Sequence, residues 1–219
     1  MIEDLHKLHM EECERWIKDG KTESQLFDIG PESVVLDIGA WKGLWSLRVS
    51  ERYNHPKIHA FEPVKRYYSE ALTNLKDHKN VVLHNFGLGA YSREGDITVD
   101  NDASSLYSDG LYKEIVFIKN IKEVLDKLGV EQFDATEVNV EGAEYELLEY
   151  IFETGIFSMF KQLMIQFHVM NGQFVSSKDR IREKLLKHFT PVFLYEYVWE
   201  FWVRKDFYVR YHASHQVSG

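Results

Sequence analysis

From residue 34 onward, short apolar runs alternate with longer amphipathic stretches, which is the pattern of βαβ units on a parallel sheet. The first run, Val34-Val35-Leu36-Asp37-Ile38, is apolar enough to be buried on both faces. A helix is predicted over residues 44–52, a second strand over Ile58-His59-Ala60-Phe61 and a helix over residues 65–75. Val81-Val82-Leu83-His84-Asn85 reads as the third strand. After Gly89 the pattern loosens into an expected hairpin, with Tyr91-Ser92-Arg93-Glu94-Gly95 as its turn and Ile97-Thr98-Val99 as its returning strand. Residues 101–112 read as a loop, and Ile115-Val116-Phe117-Ile118 as an extra edge strand. A short helix over residues 121–128 ends at Gly129.

Residues 135–140 form the fourth predicted strand, residues 143–152 a helix, and Leu163-Met164-Ile165-Gln166-Phe167 the fifth strand. Ser176-Ser177-Lys178-Asp179 opens a helix with Ile181, Leu185, Leu186 and Phe189 facing inward. Residues 192–197 and 201–208 pair as a final hairpin. Ahead of all this, Gly30-Pro31 breaks the chain after a helix over residues 2–19, with Leu5, Leu8, Cys13, Trp16 and Ile17 on one face. The expected fold is α/β: a doubly wound, mostly parallel seven-stranded sheet with an N-terminal helix. The expected division is an N-terminal helical extension over residues 1–30, one domain over 31–210 and a tail over 211–219.

Composition narrows the function classes. A hydrophobic fraction of 44% supplies a core and excludes global disorder. The net charge of −9 argues against a nucleic-acid partner, because phosphate neutralisation needs a basic surface. No apolar stretch approaches the ~20 residues of a spanning helix. Met1-Ile2-Glu3-Asp4 is unlike a signal peptide. A lone cysteine, Cys13, allows no internal disulfide and fits a reducing cytoplasm.

Open α/β sheets bind ligands at the carboxyl ends of their strands, where the strand order reverses. Two features meet there. The loop Asp37-Ile38-Gly39-Ala40-Trp41-Lys42-Gly43 follows the first strand, with Gly39 suited to a tight turn and Gly43 to close packing of the helix on the sheet. Glu62 ends the second strand, 23 positions after Gly39 and close to the ~20-residue spacing of a ribose-binding acid. The dinucleotide fingerprint fails, because Trp41 and Leu44 stand where it needs glycines, and no Gly-Lys-Ser/Thr follows for a phosphate loop. A ligand with ribose and adenine but no phosphates fits, and S-adenosylmethionine is such a ligand. A plain strand-to-helix turn with a solvated Glu62 stands as the alternative.

Further along, Glu137-Val138-Asn139-Val140-Glu141-Gly142-Ala143-Glu144 resembles the strand-four signature of the FkbM-type methyltransferases, commonly Lys-Ile-Asp-Val-Glu-Gly-Ala-Glu. Leu36-Asp37-Ile38-Gly39-Ala40, Ala60-Phe61-Glu62-Pro63, Ala103-Ser104-Ser105-Leu106 and Phe167-His168 resemble the family's other motifs in order. The resemblance covers about residues 33–205. It implies a class I methyltransferase fold and methyl transfer from S-adenosylmethionine to oxygen on a small metabolite, sugar or natural product. By position it implies that Asp37, Gly39, Ala40, Trp41, Gly43, Glu62 and Pro63 hold the cofactor, with Phe86 and Gly87 at its adenine. Asn139, Glu141 and His168 would face the transferring methyl group, and Ser104 or Ser105 would orient the acceptor or simply shape a turn.

Three positions depart from the signature: Glu137, Asn139 and Gln166 stand where Lys, Asp and Glu are usual. Loss of the Asp argues against a divalent metal, which wants several carboxylate oxygens, and His6, His9, His55 and His59 lack zinc-site spacing. His168 is the expected general base, since an imidazole titrates near neutrality, with Glu141 second. Each also has a plainer reading, as a strand-end histidine bonded to backbone and as a carboxylate at a helix N-terminus. A cofactor-binding homologue with weak or lost catalysis, and a dehydrogenase, are the competing function classes.

Overall fold

The computed structural model describes residues 2–22, 26–99, 104–105, 113–170 and 175–215. The chain opens with α1 (Ile2–Lys18) and then alternates β1 (Val34–Ile38), α2 (Leu44–Arg52), β2 (Lys57–Phe61), α3 (Lys65–Asn74) and β3 (Val81–His84). Four short strands follow: β4 (Gly87–Gly89), β5 (Arg93–Val99), β6 (Ser104–Ser105) and β7 (Lys113–Asn120). Alternation resumes with α4 (Ile121–Leu128), β8 (Ala135–Val138), α5 (Glu144–Glu153), β9 (Gln162–Ile165) and α6 (Val175–His188). The final elements are β10 (Phe189–Tyr195), β11 (Trp199–Arg204) and α7 (Lys205–His215).

Seven strands form one sheet in the order β10-β11-β9-β8-β1-β2-β3. β11 is antiparallel to both its neighbours and the pairings among the other five adjacent strands are parallel, so the sheet is doubly wound and mostly parallel. Every residue of β8 and β9 is buried, as the continuous apolar runs require of central parallel strands. The chain winds outward from β1 through β2 to β3 and then returns to lay β8 on the other side of β1. That reversal opens a crevice beyond the carboxyl ends of β1 and β8.

Local chemistry sets the boundaries where it can. Asn120 accepts the Glu123 N–H at 3.0 Å to cap α4, and Gly129 takes a left-handed φ of 64° to end it. α1 covers the edge strand β10: Arg15 donates to the Leu194 carbonyl at 2.7 Å, and the Trp16 ring packs on Phe193 and Tyr195. Ile17, expected on the inner face of that helix, is 75% exposed, because Leu5, Leu8, Cys13 and Trp16 already fill the contact.

Four further expectations are corrected. Arg93 begins a strand rather than sitting in a turn, and β5 pairs antiparallel with β7, not with β4. β7 is accordingly no edge: it lies inside a second, four-stranded sheet of order β4-β7-β5-β6. Its alternate residues Val116 and Ile118 face inward with Ile97, onto Val64 and Tyr67 of the α3 region. Leu186 of α6 is 51% exposed, whereas Ile181 and Leu185 are fully buried. Residues 205–208, read as strand, begin α7 instead. The 3- and 4-residue spacings among Phe207, Tyr208 and Tyr211 place these rings on the core, and the Tyr211 hydroxyl donates to the Leu26 carbonyl at 3.0 Å. Among the described residues no helix is long and apolar enough to cross a membrane.

A histidine pair in the sheet, His59 buried and His84 half-buried, makes the fold acid-sensitive. His59 Nδ1 lies 3.3 Å from His84 Nε2, and His59 Nε2 is buried with no hydrogen-bond partner among the described residues. Burial, then the charges of Lys57 and His84, pushes the His59 pKa from 6.5 down to about 4. This contribution to stability is complete above pH 6.5 and is lost as pH falls toward 4, where the unfolded chain binds a proton that the folded chain resists. The loss amounts to roughly 3 kcal/mol. Urea midpoints at pH 7 and pH 4.5 should therefore differ less in His59→Leu than in the unsubstituted chain; equal differences would refute the assignment.

Candidate functional site

A cavity of about 280 Å³ lies in the crevice beyond β1 and β8. That is near the ~300 Å³ lower end of small-molecule sites. Its walls come from the turn after β1, the end of β2, Tyr67 of α3, the inner face of the second sheet and the turn after β8. Among the described residues that line it, the charged ones are Glu62 and Glu141; none is Lys or Arg.

The turn after β1 is built around Gly39, at φ 95°. The Gly39 and Ala40 N–H groups both donate to the Phe61 carbonyl, at 3.1 and 2.9 Å, which ties the turn to β2. A Cβ on Gly39 would lie 1.8 Å from the Asn139 carbonyl oxygen, so the two turns touch through bare backbone. Gly43, at φ 73°, starts α2, where a Cβ would meet Leu75 Cδ1 at 2.7 Å; it lets α2 close on α3 rather than on the sheet. Trp41 has φ 47°, uncommon for a residue with a side chain, and it lines the cavity with Gly39. Ala40 is buried outside the lining.

Glu62 is 5% exposed and pinned by two backbone donors, Trp41 N–H to Oε2 at 2.8 Å and Val64 N–H to Oε1 at 2.7 Å. It is not the solvated carboxylate of the plainer reading. Each oxygen keeps a further lone pair for a ligand. Burial pushes the Glu62 pKa up to about 8, against the two N–H bonds that favour its charged form. Asp37 lies behind the turn rather than in the lining, fully buried, with Ser46 Oγ donating to Oδ2 at 2.5 Å. Burial raises its pKa to about 7, and the Ser46 bond and the Arg48 charge offset this only in part.

Around these acids three buried polar atoms have no hydrogen-bond partner among the described residues: Asp37 Oδ1, Trp41 Nε1 and Asn139 Oδ1. Buried polar groups are otherwise almost always paired. Two of the three belong to cavity-lining residues, so the site has hydrogen-bonding capacity for a polar ligand. Gly87 and Pro63 form part of the wall, and a Cβ on Gly87 would meet Ile118 Cδ1 at 2.7 Å. Phe86 stands outside the lining, edge-on to Phe61 and beneath the Lys119 ammonium.

After β8, Glu141 has φ 50° and lines the cavity, whereas His168, following β9, does not. His168 Nε2 lies 3.4 Å from Glu141 Oε2 and Nδ1 lies 3.2 Å from Glu144 Oε1. Burial alone would lower the His168 pKa, but the hydrogen bonds and charges of Glu141 and Glu144 outweigh it and push it up to about 10. A neutral imidazole facing the ligand, as expected from sequence, is not what this geometry favours. Ser104 and Ser105 form β6 against Val99 and Thr98, and their side chains lie outside the described residues. Among the lining residues that sequence reasoning missed are Tyr67, Leu88, Ile97 and Ile118; for Ile118 the alternation along residues 113–120 was the signal.

No family model matches the chain, and no curated protein matches it. Solved structures do. Fibrillarin of Methanococcus jannaschii, described as a pre-rRNA processing protein, aligns with a TM-score of 0.52 at 12% identity, over 84% of this chain and 70% of that one. Fibrillarin in a complex with Nop5p aligns with a TM-score of 0.51 at 13% identity, over 86% and 78%. The chain shares their fold.

Proposed function

We propose that the cavity binds S-adenosylmethionine and that the protein methylates oxygen on a small hydroxylated acceptor. The observation that carries this reading is the lining of the cavity: two acidic side chains, Glu62 and Glu141, and, among the described residues, no Lys or Arg. A phosphate would find no Lys or Arg among those lining residues to pair with, whereas a ligand carrying sulfonium and ammonium groups suits an acidic lining. The motif resemblance to FkbM-type methyltransferases supports the same reading. So does the orphaned hydrogen-bonding capacity of Trp41 and Asn139.

In this reading Glu62 accepts the ribose hydroxyls, Gly87 and Pro63 flank the adenine, and the Gly39–Trp41 turn with Asp37 behind it receives the amino-acid end. The cofactor supplies an electrophilic methyl group on sulfur. Asn139 and Glu141 face the reacting atoms. Glu141 accepts the proton that the acceptor hydroxyl loses, because its side chain belongs to the cavity and that of His168 does not. Correct alignment supplies much of the rate in such displacements. The net charge of −9 and the lone Cys13 support a small acceptor in a reducing cytoplasm.

Glu62→Ala should weaken S-adenosylhomocysteine binding by ~0.5–1.5 kcal/mol per lost hydrogen bond at neutral pH, where a pKa of about 8 leaves the carboxyl largely protonated, and by more above pH 8, where it is charged. An unchanged dissociation constant in a folded variant would remove Glu62 from the ribose site. The function itself is tested by release of S-adenosylhomocysteine during incubation with S-adenosylmethionine and a panel of sugars, polyols and phenols, with a structured RNA alongside. Release dependent on a small hydroxyl compound supports the proposal. Release with RNA alone overturns the acceptor class, and tight binding with no release for any acceptor favours the non-catalytic reading that Asn139 raises.

A further inference from the structure

Glu144 is fully buried in the first turn of α5, and the cavity lining does not include it. Burying a carboxylate is costly unless its oxygens are well supplied with donors. Here Oε2 accepts the Gly142 N–H at 2.8 Å, and Oε1 accepts the His168 N–H at 2.8 Å and faces His168 Nδ1 at 3.2 Å. These bonds span two elements: Gly142 belongs to the turn after β8, and His168 follows β9. The Tyr145 hydroxyl closes the same junction by donating to the His168 carbonyl at 2.6 Å. His168 in turn presents Nε2 to Glu141, the residue held at φ 50° on the cavity wall.

We propose that Glu144 is a positioning residue which, through His168, holds the Glu141 carboxylate at the cavity wall. The inference rests on the reading of Glu141 as the group that meets the acceptor. With a carboxylate at each ring nitrogen, both nitrogens donate and the ring is an imidazolium. The groups that face it are Glu141 and Glu144, with the Tyr145 hydroxyl at its carbonyl. An imidazolium beside Glu141 keeps that carboxylate ionised and fixes the direction of its oxygens. Without Glu144, His168 loses the partner on Nδ1 and, with it, the charge that stabilises the cationic ring.

The test is a side-chain NMR titration of His168 in the full chain, from pH 5 to 11, for the unsubstituted protein, Glu144→Gln and Glu144→Asp. The unsubstituted protein should keep an imidazolium well above pH 8, consistent with a pKa near 10. Glu144→Gln should lower the titration midpoint by ~1–3 units, the effect of removing a neighbouring opposite charge. Glu144→Asp, which keeps the charge, should recover part of it. The turnover rate of Glu144→Gln should then decline as pH rises through the new midpoint, with the KM for S-adenosylmethionine unchanged. A purely structural Glu144 would leave the midpoint where it was, and that result overturns the proposal. If Glu144→Gln does not fold, the unsubstituted protein decides: His168 titrating near 6.5 overturns the proposal and an imidazolium above pH 8 supports it. Failure of the methyltransferase reading would appear separately, as absent S-adenosylhomocysteine binding with the His168 titration intact.

Discussion

Glu141→Gln is expected to lower methyl transfer by ~10²–10⁴-fold, the usual contribution of a positioned base. Gln has nearly the same shape as Glu and keeps one carbonyl oxygen, so it can still orient an acceptor hydroxyl; it cannot take up the proton. Affinity for S-adenosylhomocysteine, which carries no sulfonium, should change far less than turnover, because the ribose contact is assigned to Glu62 at the end of β2 and Glu141 follows β8. Backbone strain should not confuse the comparison, since both residues carry a Cβ and meet the same left-handed φ of 50°. Turnover and S-adenosylhomocysteine affinity measured together decide the matter. Full turnover in Glu141→Gln would mean that the acceptor arrives already ionised. Loss of binding alongside turnover would move Glu141 into the cofactor pocket.

Gly39→Ala should be severely damaging for the addition of a single methyl group. Its Cβ would sit 1.8 Å from the Asn139 carbonyl oxygen, far inside van der Waals contact. The obstacle is backbone, which is itself held by the Asn139 N–H bond to the Ile38 carbonyl at 2.9 Å. At φ 95° any side chain adds conformational strain of ~1–3 kcal/mol. Overpacking adds another ~1–3 kcal/mol, so roughly 2–6 kcal/mol of stability is at stake. Many domains have only ~5–15 kcal/mol in total. The damage follows from collision between two turns of the protein itself. Denaturant unfolding of Gly39→Ala checks it: a loss under about 1 kcal/mol would show that the turns are not packed backbone to backbone.

Much of the main sheet was legible because its strands are short, continuous apolar runs set between amphipathic helices. Val34–Ile38 and the run ending at Phe61 needed no tertiary information, and neither did the capped helix from Ile121 to Gly129. Two strands of the second sheet were legible, but their pairing was not, for a physical reason. Its pairings, such as Arg93 with Ile118, join distant segments, and Gly95 and Asp96 interrupt the apolar alternation within β5. Residues 205–208 misled in the other direction, because aromatic side chains suit strands as well as a helix face.

The same division runs through the site. Glu62 could be located from spacing, since the end of β2 fixes where it stands. The state of His168 could not, because it depends on two carboxylates that reach it from another loop and from the first turn of α5. The positive φ of Trp41 and Glu141 was equally invisible, as neither residue type favours it.

A cavity lined by Glu62 and Glu141, with no Lys or Arg among its described lining residues, should select a nucleoside carrying an amino acid and, in the methyl donor, a sulfonium. Calorimetric titration of the unsubstituted chain with S-adenosylmethionine, S-adenosylhomocysteine and NAD tests it most directly. Saturable one-to-one binding of the first two, abolished or weakened in Glu62→Ala, with no heat from NAD, is the predicted result. Binding of NAD, or no binding of either sulfur nucleoside by the folded protein, would contradict the account.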